Sequence, residues 1–62
     1  MRLNIMLDLD NEAFQPHPKD ETERILAELA MRIGQIGIYP GNSIVLRDIN
    51  GNRVGVADCF KD

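Results

Sequence analysis

The first ten residues alternate with a period of two: Leu3, Ile5, Leu7 and Leu9 on one side, Arg2, Asn4, Met6, Asp8 and Asp10 on the other. Successive side chains of a strand point to opposite faces, so this pattern predicts a half-buried strand whose apolar face must be covered. Asp10-Asn11 favours a turn, and the stretch from Glu12 to Lys19, with Pro16 and Pro18, reads as a loop or one short turn. Phe14, just before the prolines, is placed to plug one end of a core.

Only one later segment can supply the cover. Thr22, Ile25, Leu26, Leu29, Ala30, Ile33 and Ile36 recur at spacings of three and four, the apolar stripe of an amphipathic helix. Pro18 suits its first turn; alternatively Asp20 is the N-cap and pairs with Glu23 as in a capping box. Arg24, Glu28 and Arg32 fall at i, i+4 and i+8 and form a charge ladder on the flank. Gly34 and Gly37 mark the exit, and Tyr39-Pro40-Gly41-Asn42 is a turn cluster.

The remainder is a hairpin. Ile44 to Ile49 is rich in β-branched residues, Val54 to Phe60 alternates again, and Asn50-Gly51 between them predicts a type I′ turn. That turn pairs Ile49 with Asn52, Arg47 with Val54 and Val45 with Val56, and sets Asp48 opposite Arg53 and Leu46 opposite Gly55. Gly55 interrupts the pattern, where a bulge or one-residue slip is expected. The whole is an α+β single domain over residues 1–62, β-α-β-β: a three-stranded antiparallel sheet of order 1-3-2 with one helix on one face. This order keeps the crossover right-handed and gives the third strand two neighbours. The helix stripe is expected to pack on Leu3, Ile5, Leu7 and one face of the hairpin. The opposite face then lacks a cover, and Met6, Val45 and Cys59 are its candidate self-association residues, as in a homodimer.

Sixty-two residues bury a small core, and the usual reinforcements are missing. One cysteine excludes an intramolecular disulfide, and one cysteine with one histidine disfavours a structural zinc site within the chain. The lone cysteine suits a reducing cytoplasm. The N-terminal segment meets Asp8 and Asp10 before a secretory apolar stretch could form, which also points to the cytoplasm. No apolar run approaches the roughly 18 residues of a membrane span, and 44% hydrophobic content disfavours disorder.

Candidate chemistry is sparse. Asp8, Asp10 and Glu12 invite a metal or acid–base reading, but a charged strand end and loop entry is the better account of them. Asp48-Ile49-Asn50-Gly51-Asn52 resembles the start of a calcium loop, yet the positions that need Gly and Glu carry Arg53 and Cys59. His17 sits between two prolines, and no base accompanies Cys59 in sequence. Gly34-Gln35-Ile36-Gly37 follows a helix where a phosphate-cradling loop would open one. Three aromatics, Phe14, Tyr39 and Phe60, make no stacking platform for single-stranded nucleic acid. No enzyme activity, cofactor or metal is expected.

Charge is the more telling feature. Between Asp8 and Glu28 lie seven acids, Asp8, Asp10, Glu12, Asp20, Glu21, Glu23 and Glu28, against Lys19 and Arg24, a local charge of −5; the rest of the chain sums to +2. Scattered basic residues disfavour direct nucleic-acid binding, whereas the acidic run suits a basic protein surface.

Three segments, Asp8-Leu9-Asp10-Asn11-Glu12-Ala13-Phe14, Arg24-Ile25-Leu26-Ala27-Glu28-Leu29-Ala30 and Arg47-Asp48-Ile49-Asn50-Gly51-Asn52-Arg53-Val54-Gly55, resemble a group of short proteins encoded by tailed bacteriophages and prophages. The resemblance spans most of the chain and rests on structural motifs; it departs over Gly34–Pro40, where the group is more often charged. It implies an accessory protein in the cytoplasm of a bacterial host, acting on a host protein, and supplies no functional residues to carry over. Two functions are therefore expected to compete: inhibition of a host defence or nucleic-acid-handling protein through the acidic run, or a homo-oligomer holding a small ligand such as a nucleotide signal.

Overall fold

A computed structural model describes residues 1–62. The period-two segment forms β1, Arg2–Leu7; the helix is α1, Pro18–Ile36; the hairpin strands are β2, Ser43–Arg47, and β3, Arg53–Phe60. The sheet order is β1-β3-β2, with both pairings antiparallel, so β1 and β2 flank the last strand as the split β-α-β arrangement requires. A 3-10 turn, Glu12–Phe14, lies between β1 and α1, capped by the Asn11 side chain, which accepts from the Ala13 N–H.

Proline decides where α1 starts. Pro18 occupies the first turn, where its missing N–H costs nothing, and the preceding His17 makes no side-chain cap. The Asp20–Glu23 capping box therefore does not form. At the far end Gly37 adopts a φ of 89° and its N–H closes on the Ile33 carbonyl.

The core joins Phe14, Ile25, Leu29, Ile44, Leu46, Val54 and Ala57, with Leu7, Ala13 and Ile33 packed against it. Phe14 is fully buried, the plug its position implied. The helix does not lie where the strand pattern suggested. It packs on the 3-10 turn and β2, and Leu3 and Ile5 of β1 stay 38% and 47% exposed. Two arginines account for this placement. Arg32 Nη1 donates to the Val45 carbonyl at 2.9 Å and Arg24 Nη2 to the Arg47 carbonyl at 3.3 Å, which ties α1 to the outer edge of β2. Arg32 is thus drawn out of the helix ladder, and only the Arg24–Glu28 step forms, at 3.2 Å. The stripe is correspondingly narrow: Ile25 and Leu29 are buried, while Leu26 and Ile36 are exposed.

The hairpin keeps the predicted pairs Val45–Val56 and Leu46–Gly55, then shifts register between Leu46 and Arg47, so that Arg47 faces Arg53 and Val54 is the extra residue. Val54 turns into the core through this bulge. The turn itself is not type I′. Asn50 lacks the positive φ that type requires; Gly51 alone has it, at 86°. Gly51 N–H bonds the Asp48 carbonyl and Asp48 N–H bonds the Asn52 carbonyl, the pattern of a three-residue loop closed by a glycine bulge.

Candidate functional site

The seven acidic residues divide into two groups. Asp8, Asp10, Glu12, Asp20 and Glu23 are exposed, and none forms an ion pair within the chain. They follow from the end of β1, through the connection, to the second turn of α1. The 3-10 turn that carries Glu12 packs on α1, so both parts of the run belong to one packed unit. Glu28 is exposed but shares Arg24.

Glu21 does not belong to that surface. It is 8% exposed; its Oε1 accepts from Arg24 Nε at 2.8 Å, and its Oε2 accepts from Arg24 Nη2 at 3.1 Å and the Ile49 N–H at 2.8 Å. The Arg24 bonds hold its carboxyl below the usual range against the opposing effect of burial, and the Ile49 N–H adds to the lowering. The expectation that Glu21 faces a partner is corrected on this geometry: it fastens α1 to the hairpin turn.

Asp48 is the second buried carboxylate. Oδ1 accepts from the N–H groups of Asn50 at 2.9 Å and Asn52 at 2.8 Å; Oδ2 accepts from the side-chain amides of Asn11 at 2.7 Å and Asn52 at 3.2 Å. Burial pushes this carboxyl up more than any one bond lowers it, but the bonds from Asn52, Asn11 and Asn50 together hold it low. Asp48 thereby joins the hairpin turn to the loop after β1. Sequence reasoning singled out this segment for its calcium-loop look and missed the clamp. The available signal was an Asp three residues before a glycine, the acceptor that such turns favour.

Two hollows flank β1. One, of about 310 Å³, lies among Asp8, Asp10, Asn11, Arg53 and Val54. The other, of about 470 Å³, lies on the uncovered sheet face beside Met6, Val56, Asp58 and Phe60 and reaches Leu3 and Ile5. The register places Met6, Val56 and Val45 in one apolar row across that face, beside a polar row of Asn4, Asp58 and Ser43. Ser43 Oγ donates to Asp58 at 2.7 Å, and the Arg2 guanidinium stands 5.9 Å from the Phe60 ring centroid. Cys59, expected with Met6 and Val45, is on the other face, buried at 4% and paired with Leu3. Strand parity is the reason: Cys59 is out of phase with Val56.

No three of the His, Cys, Asp and Glu side chains gather closely enough to hold a metal ion, and no helix is long and apolar enough to cross a membrane. No family model matches the chain, and no curated protein or solved structure shows significant similarity to it.

Proposed function

We propose that the chain is a non-enzymatic accessory protein of the phage-encoded kind its sequence resembles, acting by protein–protein contact in the cytoplasm of a bacterial host. Its acidic run would occupy a basic groove of a host defence or nucleic-acid-handling protein. The observation that carries this reading is the set of five exposed carboxylates, Asp8, Asp10, Glu12, Asp20 and Glu23, without ion partners of their own. Unpaired charge of one sign on a packed scaffold speeds and selects a partner of the other sign. The alternative, a homo-oligomer that binds a nucleotide signal, has weaker support: Asp58 borders one hollow, and in the other Asp8 and Asp10 outnumber Arg53, so neither favours phosphate.

The test is retention on the immobilised protein from bacterial lysate, with a variant carrying D10N, E12Q, D20N and E23Q beside it. The expected result is a basic host protein held at about 50 mM salt, released by about 500 mM, and not retained by the variant. A partner that the variant holds equally well would sink the acidic-surface reading.

A further inference from the structure

The two edges of the sheet are treated differently. In an antiparallel ladder the N–H and C=O of alternate residues point to opposite sides of a strand. Asn42, Ile44 and Leu46 take the β3 side of β2, as the Cys59 N–H bond to the Asn42 carbonyl shows. The Val45 and Arg47 carbonyls therefore face outward, and these are the two that Arg32 and Arg24 occupy. On β1 the Asp8 N–H bonds the Val54 carbonyl, so Asp8, Met6, Asn4 and Arg2 face β3. The N–H and C=O groups of Leu3, Ile5 and Leu7 face outward with nothing bonded to them, and the Leu3 and Ile5 side chains are exposed beside them. Natural sheets ordinarily blunt such an edge; this one covers β2 and leaves β1 open.

We infer that the open edge of β1 pairs antiparallel with β1 of a second copy of this chain, across a two-fold axis at Ile5. This goes beyond the host-partner reading and does not depend on it. The strand is self-complementary in that register. Leu3 of one copy lies opposite Leu7 of the second and Ile5 opposite Ile5, so the outward-facing backbone groups of all three residues bond in pairs. On the uncovered face, Arg2 lies opposite Asp8 of the second copy, twice by symmetry, and opposite charges in cross-strand positions stabilise pairing. A slip of two residues one way sets Asp8 against Asn4 of the second copy, and the other way carries it past Met1. The product is one six-stranded sheet with two helices on the same face. A strand pair this short buries less than a standard interface, so association belongs in the range of about 10–100 µM.

Light scattering and sedimentation over about 5–500 µM protein test it. The wild-type chain is expected to pass from 7.0 kDa to twice that mass. Ile5→Pro removes only an N–H that bonds nothing within the chain and is expected to stay monomeric; Ile5→Lys, at an exposed position, is expected to do the same and serves if the proline disturbs the strand. Arg2→Asp and Asp8→Arg, singly, are each expected to weaken association about tenfold, and R2D/D8R together to restore it. A monomer at the highest concentration overturns the inference, as does a dimer indifferent to both position 5 variants or not rescued by the charge swap. The lysate test above leaves Asp8 in place, so the two can fail separately.

Discussion

Two buried carboxylates carry the connections between elements, and both are held in their charged form. Glu21 and Asp48 have folded-state pKa values below their ordinary 4.5 and 3.8. A depressed carboxyl contributes stability that is complete above its unfolded pKa and is lost as pH falls through the folded one. Thermal stability is therefore expected to be flat above about pH 5 and to fall steadily below 4.5 as Glu21 and Asp48 take up protons. In E21Q the melting temperature at pH 7 should drop and its decline in acid become shallower, because the amide retains packing but no longer matches the Arg24 fork. Melting curves from pH 7 to pH 2.5 measure both. An unchanged acid slope in E21Q together with D48N would remove these carboxylates as its cause.

Among the elements, β3 is the most constrained, because it is paired on both sides. A Cβ added at Gly55 would collide with the Met6 carbonyl oxygen and stand 3.0 Å from Leu7 Cα, both backbone atoms of β1 that cannot swing away. Gly55→Ala is expected to destabilise the chain by about 3 kcal/mol, the upper end of ordinary overpacking, visible as a loss on the order of 15 °C in melting temperature. Gly34, in the last turns of α1, has nothing within 4 Å of the same added atom, so Gly34→Ala should instead stabilise by roughly 0.5–1 kcal/mol. Chemical denaturation of the two variants side by side checks the opposite signs.

Element order was readable because it rests on local periods: alternation in residues 2–7, the three–four stripe of Ile25, Leu29 and Ile33, and the right-handed crossover that puts β3 in the middle. The turn type was not, since Asn50-Gly51 fits two hairpin geometries and the choice lies with the Asp48 side chain reaching Asn50 and Asn52. The seat of α1 over β2 was hidden for a similar reason. It depends on Arg24 and Arg32 meeting backbone carbonyls 23 and 13 residues away, and nothing in their helical spacing reports that. The acidic run was legible as composition, but separating buried Glu21 from exposed Glu23 needed the hairpin turn in place.

As a whole the molecule is extended for its length. Its 37 × 20 × 17 Å envelope has a radius of gyration of 12.1 Å, where a compact 62-residue domain averages about 10.6 Å, and it exposes 4368 Å² against about 4,000 Å². The excess has a location, since α1 lies to one side and β1 is left without a second layer. Amide exchange followed by NMR should draw this asymmetry residue by residue. At about 5 µM, below the range of self-association, the amides of Asn4, Met6 and Asp8, which face β3, are expected to exchange slowly, while those of Leu3, Ile5 and Leu7 exchange close to the unprotected rate. Within β3, amides from Val54 to Cys59 should be the slowest of all, apart from the bulge. Raising the concentration about a hundredfold should then slow Leu3, Ile5 and Leu7 together and leave the amides of Val45 and Arg47 unchanged, because the Arg-capped edge has no strand to receive. Equal protection of odd and even β1 residues at the lower concentration would contradict the ladder, and a concentration effect confined to β2 would place the sticky edge on the wrong side of the sheet.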